Sequence, residues 1–202
     1  RAGGTEDRFG EVMTGPLLGM AQLPSIAVAI STTGDAHRLP YLSESVKAWA
    51  TLLPIERIAV TVDGDNSVAE LVTNVLSAEH PDLTVIRVGQ LVTPDPTKLR
   101  EGRLGVAANK NTGLAWLHGR GVEHMFLCDD DTWPLGAEAL TLHVAGHLSH
   151  SLVCWGRSRL LQGSPERGVA SWSWPRGVLM YLRREVLGAV GGFVEAFGPG
   201  GH

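Results

Sequence analysis

Short apolar runs alternate with segments of helical periodicity through residues 25–131. The first run, at 25–31, is rich in β-branched residues and lies between Pro24 and a Thr-Thr-Gly-Asp turn, which predicts a buried strand. Further strands are predicted at 57–62, 83–88 and 123–128, and helices at 41–53, 67–79 and 104–118. Because strand-helix-strand units form parallel pairs, we expect an α/β domain with a doubly wound, mostly parallel sheet.

Three successive carboxylates, Asp129, Asp130 and Asp131, follow the fourth apolar run. They are expected at the carboxyl end of a buried strand, where open α/β sheets bind their ligands. Clustered carboxylates repel each other, and a hard divalent cation such as Mg²⁺ or Mn²⁺ relieves the repulsion. We therefore predict a metal site with Asp129 and Asp131 as ligands. A solvated acidic turn or a helix N-cap is the alternative.

The composition is that of a globular chain. With 202 residues, 44% of them hydrophobic, it can bury the core of one domain. No apolar run approaches the roughly 18 residues that a membrane span needs, and the first residues do not have the pattern of a signal peptide. Cys128 and Cys154 are too few for a disulfide framework, so we expect reduced thiols and a cytoplasmic location.

The periodicity divides the chain into three regions. Residues 1–24 contain glycine and proline without a sustained period, and we expect a flexible arm there. Residues 25–134 carry the alternating pattern. Residues 135–202 are less regular, with helices predicted at 135–148 and 183–190 and strands at 151–155 and 177–182. From residue 151 onward there are six basic and three acidic side chains, although the whole chain has a formal charge of −4.

Five segments in order resemble the nucleotide-sugar glycosyltransferases of the A-type fold, especially the family-2-like group. They are the first strand, VDGD at 62–65, GVAANKNTGL at 105–114, FLCDDD at 126–131, and YLRREVL at 181–187 leading to GGFVE at 191–195. The resemblance covers residues 25–202. It implies that residues 25–134 bind the nucleotide sugar and that residues 135–202 form the acceptor-side half of the same domain.

The resemblance also implies roles for residues after the first two strands. Ser31 and Thr32 would lie beside the nucleobase. Asp63 or Asp65 would accept hydrogen bonds from the base or the ribose, a task that suits a carboxylate because it offers only acceptors. Of the two, Asp63 is the better candidate. For Asp65, a helix N-cap is an equally good interpretation.

Further implied roles belong to the next helix and to the acidic triplet. Lys110 would neutralise the donor diphosphate, with a solvated helix face as the alternative, and Asn111 would hold the nucleotide or brace the metal loop. Asp129 would contact ribose or metal, and Asp130 the nucleotide. Asp131 would hold the cation that bridges both phosphates.

The acceptor side is predicted from aromatic and basic side chains. Trp172 and Trp174 alternate with serines, so a strand would present both rings on one face, where sugars or bases stack. Arg176 could bind a donor phosphate or a polyanionic acceptor. Core packing of the tryptophans and a solvated arginine are the alternatives.

The last residues of the sequence bear on which group would act as the general base of the sugar transfer that the resemblance implies. In the family, a glycine-rich turn precedes an acidic catalytic motif or a metal-binding histidine; here the turn reads Gly198-Pro199-Gly200-Gly201-His202. Either Glu195 is the base, or the natural protein continues past His202. The second interpretation is favoured because the apolar segment at 191–197 would more naturally pack its phenylalanines and leave Glu195 at the surface. His202 would then complete a metal site as an imidazole ligand, which suits Mn²⁺ better than Mg²⁺.

These observations predict a metal-dependent glycosyltransferase. It would move a sugar from a nucleoside diphosphate sugar to a hydroxyl acceptor, which could be a glycan, a small molecule or a modified nucleic-acid base. A nucleotidyltransferase of similar fold is one alternative, disfavoured because no glycine-rich signature with a basic residue follows the first strand. A non-catalytic module that binds nucleotide sugars or nucleic acid is the other.

Overall fold

The computed structural model describes residues 25–90, 103–146, 152–154 and 178–195. The strands are β1 (Ile26–Thr32), β2 (Ile58–Val62), β3 (Thr84–Arg87), β4 (His124–Asp129), β5 (Leu152–Cys154) and β6 (Leu179–Arg183). The helices are α1 (Leu39–Ala50), α2 (Asn66–Ser77), α3 (Val106–Gly119), α4 (Ala137–Gly146) and α5 (Arg184–Val190), with one 3₁₀ turn at Ile55–Arg57. The arm predicted at 1–24 lies outside the described residues.

One six-stranded sheet contains all of these strands, in the order β3-β2-β1-β4-β6-β5. The first four in this order are parallel, whereas β6 runs antiparallel to both β4 and β5. The predicted doubly wound, mostly parallel α/β sheet is therefore confirmed. Strands β5 and β6, from the less regular part of the sequence, extend the sheet formed by the first part.

The two faces of the sheet have different side chains. Val28 and Ile30 of β1 join one core with residues of α1, α2 and α4, whereas Ala27 and Ala29 join the other core with residues of α3. This division follows from the alternation of side chains along a strand. On the first face the rings of Trp49, Phe126 and Tyr181 pack together, with centroids 5.6 Å and 5.0 Å from that of Phe126.

Small residues bring α3 close to the sheet. Gly113 lies over β1, and a Cβ atom added to it would be 2.8 Å from the Cβ of Ala29. A side chain at this position would push the helix outward, because buried interiors have no room for an additional methyl group. The close approach lets the beginning of α3 reach the end of β1, where the Asn109 amide donates to the Thr32 carbonyl at 2.9 Å.

No helix among the described residues is long and apolar enough to cross a membrane.

Candidate active site

The carboxyl ends of three neighbouring strands meet at one edge of the sheet. Ser31 of β1 lies in register with Asp129 of β4 on one side and with Thr61 of β2 on the other. The acidic triplet and Asp63 therefore lie near the end of β1. This edge is where ligands bind in open α/β sheets.

Asp130 is the enclosed member of the triplet. Its side chain is only 2% exposed, and its Oδ2 accepts hydrogen bonds from Thr32 Oγ1 at 2.6 Å and from Arg38 Nε at 3.2 Å. The Nη2 of Arg38 contacts the second oxygen, Oδ1, and the Asp130 backbone N–H donates to the Ser31 carbonyl. Asp130 therefore connects the acidic loop to β1 and to the loop between β1 and α1.

Arg38 also contacts the exposed member of the triplet. Its Nη2 lies 3.1 Å from Oδ2 of Asp131, whose side chain is 46% exposed. The hydrogen bond to Asp130 raises the pKa of the Arg38 guanidinium above its usual value, so it stays charged. The sequence-based prediction omitted Arg38. Its one signal in the sequence is its position shortly after β1, a strand whose carboxyl end lies at the same edge of the sheet as that of β4.

Asp129 faces a buried cation. Lys110 Nζ lies 2.6 Å from Asp129 Oδ1, and the lysine side chain is 3% exposed against 32% for the aspartate. Burial raises the pKa of Asp129 above its usual value, and the ammonium of Lys110 opposes this rise. Lys110 is therefore not on a solvated helix face; its charge lies behind the acidic loop.

Asp63 binds the start of α3. Its Oδ1 accepts from the Leu104 backbone N–H at 2.8 Å, and its Oδ2 accepts from that of Gly105 at 2.7 Å. Burial raises the pKa of Asp63, whereas the two backbone hydrogen bonds act in the opposite direction. Both carboxylate oxygens thus hold the chain itself in place.

Asp65 has the geometry of a helix N-cap. It precedes α2, and its Oδ1 accepts from the Val68 backbone N–H at 3.0 Å and from Ser67 Oγ at 2.7 Å. The hydrogen bond from Ser67 and then that from Val68 lower the pKa of Asp65. The capping alternative thus accounts for this residue without a ligand.

Asn111 holds the turn that contains Glu195. Its Nδ2 donates to the Phe193 carbonyl at 2.9 Å and to Glu195 Oε1 at 2.6 Å, while its Oδ1 accepts from the Phe193 backbone N–H at 2.7 Å. A Cβ atom on Gly192 would lie 2.4 Å from the same Oδ1, so the close approach of the amide requires glycine there. Asn111 is engaged with this turn.

Cys128 is not suited to nucleophilic chemistry. It is free and buried at the end of β4, and burial raises the pKa of its thiol to about 12. The thiol therefore remains protonated near neutral pH, in which form it is a poor nucleophile.

The fit of the site to a divalent cation depends on Asp129 and Asp131. Within the described ranges, no group of three or more His, Cys, Asp or Glu side chains is placed to hold a metal ion. Magnesium-type sites, however, commonly take one or two carboxylates from the protein and the remaining ligands from water and phosphate. Asp129 and Asp131 keep partly exposed carboxylates and so fit that kind of site. His202, Trp172, Trp174 and Arg176 lie outside the described residues.

Comparison with solved structures identifies proteins with a similar fold. A mannosyltransferase from Pyrobaculum calidifontis, in complex with GDP-Man and Mn²⁺, aligns over 86% of this chain with a TM-score of 0.55 and 20% identity. The 4-diphosphocytidyl-2C-methyl-D-erythritol synthase of Anaerococcus prevotii aligns over 84% of the chain, and over 74% of its own, with a TM-score of 0.51 and 11% identity. The chain spans 48% of the mannosyltransferase.

The chain therefore shares its α/β fold with this mannosyltransferase and this synthase. Similarity at these identities establishes the fold alone, and a fold can host several chemistries. No protein-family model matches the sequence, and no curated protein matches it.

Proposed function

We propose that this protein is a metal-dependent glycosyltransferase that uses a nucleoside diphosphate sugar. The observation that carries the proposal is the arrangement of the acidic triplet at the ligand-binding edge of this fold. Asp130 is fixed inside by Thr32 and Arg38, while Asp129 and Asp131 on either side keep partly exposed carboxylates. This arrangement leaves two carboxylates available as metal ligands beside a buried, hydrogen-bonded Asp130.

Asp129 and Asp131 would hold Mn²⁺ or Mg²⁺ together with the donor diphosphate. When bound, such a cation stabilises the departing nucleoside diphosphate as a Lewis acid. The residues of the chain set the geometry around it: Lys110 fixes Asp129, and Arg38 ties Asp131 to the buried carboxylate. Because these supports are in place before the donor binds, little reorganisation is needed.

The nucleoside would lie beside the end of β1, near Ser31 and Thr32. Asp63 already accepts two backbone hydrogen bonds, but each carboxylate oxygen keeps a second lone pair for a base or ribose donor. Asp65 would contribute only through the oxygen that does not cap α2. We propose that Asp63 contributes more to nucleoside binding than Asp65 does, because Asp63 lies at the end of a central strand.

The acceptor side is proposed in outline. Glu195 is the carboxylate that Asn111 holds, and it is our candidate for the general base that takes the acceptor hydroxyl proton. From the sequence resemblance, His202 would add a metal ligand. From the aromatic and basic pattern of the sequence, Trp172, Trp174 and Arg176 would contact the acceptor.

A thermal-shift panel tests the proposal. Nucleoside diphosphate sugars that differ in base and sugar are added with Mn²⁺ or with a chelator. A ligand that binds only the folded protein raises Tm by mass action, so one donor with Mn²⁺ should give the largest rise. Asp131→Asn should remove most of the metal-dependent part. No shift with any donor, or a full shift in an Asp129→Asn, Asp131→Asn double variant, would reject the metal-dependent donor site.

Nucleotidyl transfer is a second candidate, because the A. prevotii synthase shares the fold. The two reactions release different products. Glycosyl transfer from a sugar donor liberates a nucleoside diphosphate, whereas nucleotidyl transfer from a nucleoside triphosphate to a sugar phosphate liberates pyrophosphate. Metal-dependent pyrophosphate release without nucleoside diphosphate release would favour the second reaction. Donor binding without either product would indicate a binding module.

A further inference from the structure

The acidic triplet is largely neutralised by the protein itself. Three carboxylates, those of Asp129, Asp130 and Asp131, meet two cations, Lys110 and Arg38, so the group carries one net negative charge. One nitrogen of Arg38, Nη2, contacts both Asp130 Oδ1 and Asp131 Oδ2. A cation that approaches Asp131 therefore meets a guanidinium already bound to that carboxylate.

We propose that Arg38 is a positioning residue that makes the site accept a divalent cation together with a nucleoside diphosphate rather than alone. The inference rests on the proposed function, which it deepens by assigning the form in which the metal binds. The residues that carry it are Arg38, which sequence reasoning did not identify, and the buried Asp130.

Charge and exposure at Arg38 favour joint binding of the cation and the diphosphate. A bare divalent cation is attracted by a single net negative charge and repelled by the guanidinium near Asp131, and it must also lose part of its hydration shell. A diphosphate brings further negative charge and oxygen ligands for the same cation. The Arg38 side chain is 32% exposed, so its outer edge is open to phosphate oxygens, which arginine binds well.

The consequence is positive coupling between metal and diphosphate. The guanidinium that weakens binding of the cation alone favours binding of the cation–diphosphate pair. By linkage, the diphosphate must increase the affinity for the metal by the same factor by which the metal increases the affinity for the diphosphate.

Two single variants change the local charge in opposite directions, and the double variant restores it. Arg38→Met removes one positive charge and should raise the affinity for Mn²⁺ alone by about tenfold or more, since the removed charge lies within a few ångströms of the ligand oxygens. Asp130→Asn removes one negative charge, can keep the hydrogen bond from Thr32, and should lower that affinity. The double variant has the wild-type net charge and should return toward the wild-type affinity for Mn²⁺ alone.

The experiment is a titration with Mn²⁺, with and without a saturating nucleoside diphosphate taken in turn from GDP, UDP, CDP, ADP and dTDP, in which free Mn²⁺ is followed by electron paramagnetic resonance. In the wild type, the diphosphate should raise Mn²⁺ affinity by about tenfold or more, and Arg38→Met should reduce this factor. Lys47→Met is the matched control, because this exposed lysine on α1 pairs with Glu44 and Glu79 and not with the triplet. It should bind like the wild type.

The results distinguish a failure of the inferred role of Arg38 from a failure of the proposed function. If the diphosphate raises Mn²⁺ affinity by the same factor in Arg38→Met as in the wild type, the inference is overturned, while the proposed donor site stands. If the wild type binds Mn²⁺ equally well with and without diphosphate, both the inference and the metal-dependent donor site are overturned. If Arg38→Met and Asp130→Asn shift Mn²⁺ affinity in the same direction, the charge argument is wrong. If Arg38→Met does not fold, Asp130→Asn and the double variant still test the direction in which the local charge changes the affinity for Mn²⁺. If none of these nucleoside diphosphates binds with Mn²⁺ in any variant, the proposed function fails, and the inference fails with it.

Discussion

Lys110 Nζ lies 2.6 Å from Asp129 Oδ1, and the lysine is almost fully buried while the aspartate is partly exposed. The next residue of α3, Asn111, donates to Glu195 Oε1 at 2.6 Å. Two consecutive residues of one helix therefore hold two carboxylates that are 66 positions apart in sequence (195 − 129). Because α3 packs closely on β1, this one helix positions the carboxylates of both Asp129 and Glu195.

Removal of the buried lysine charge should destabilise the fold. We expect Lys110→Met to lower the free energy of unfolding by about 1.5–3 kcal/mol, the range for a hydrogen bond to a charged group, because the partly exposed Asp129 carboxylate loses its cation. Urea denaturation measures the change. Adding Asp129→Asn should recover part of the loss, because it removes the uncompensated charge. A Lys110→Met protein as stable as the wild type would show that the pair does not hold the acidic loop.

Asp63 should be important for folding as well as for binding. Asp63→Ala leaves the backbone N–H groups of Leu104 and Gly105 without their acceptor and should cost about 1–3 kcal/mol. Hydrogen exchange at these two amides should accelerate. If Asp63→Ala instead weakens nucleotide binding by a similar amount and leaves stability and exchange unchanged, the carboxylate serves the ligand and not the start of α3.

The cap of α2 gives a pH-dependent prediction. The pKa of Asp65 is lowered in the folded protein, chiefly by the Ser67 hydroxyl, so the ionised form is favoured by folding. Its contribution is present above the unfolded pKa, near 3.8, and is lost as the pH falls through the lower folded value. Asp65→Ala should therefore lower Tm at pH 7 more than at pH 3.

Asp65→Asn is the matched control for this cap. Asparagine is also a good N-cap, so this variant should keep most of the stability at neutral pH. Neither substitution should change nucleotide affinity if Asp65 only caps the helix. A loss of affinity in both variants, with Tm unchanged, would return Asp65 to the nucleotide site.

The contact between Asn111 and Gly192 should give non-additive substitutions. Gly192→Ala places a methyl group against the Asn111 side chain and should destabilise the protein, since overpacking costs about 1–3 kcal/mol. In an Asn111→Ala background the obstructing amide is absent, so Gly192→Ala should cost much less. Thermal denaturation of the four proteins measures the coupling.

Gly188→Ala is the control for this cycle. Gly188 lies in α5, and nothing is within 4 Å of its added Cβ. Alanine favours a helix more than glycine does, so this variant should be at least as stable as the wild type. Equal costs of Gly192→Ala with and without Asn111 would contradict the contact.

The strands and several of the helices were predictable from the pattern of their apolar residues. β1 and β4 are continuous apolar runs, as expected for strands buried on both faces, and α1 has its apolar residues at helical spacing. The doubly wound order followed from the alternation of these elements. The antiparallel direction of β6 did not, since a strand direction after a long connection is not set by local sequence.

The site was predictable in its location but not in its internal contacts. Position at the end of β4 identified the acidic triplet, and the repulsion of clustered carboxylates predicted that Asp129 and Asp131 bind a metal. Arg38 was missed because its contact with Asp130 spans 92 residues and depends on the path of the loop after β1. Likewise, the pairing of Asn111 with Glu195 depends on where α5 returns the chain, which no local pattern records.

The most direct test of the central claim is metal-dependent turnover of the donor. Nucleoside diphosphate release is measured from the donor that gives the largest thermal shift, in the presence of Mn²⁺ or a chelator, for the wild type and for Asp131→Asn. Water serves as the acceptor if no other is known. The account predicts release by the wild type with Mn²⁺, little release with the chelator, and at least about a hundredfold slower release by Asp131→Asn, a loss of roughly 2.7 kcal/mol in transition-state stabilisation. Release that is equal with Mn²⁺ and chelator, or undiminished in Asp131→Asn, would contradict it.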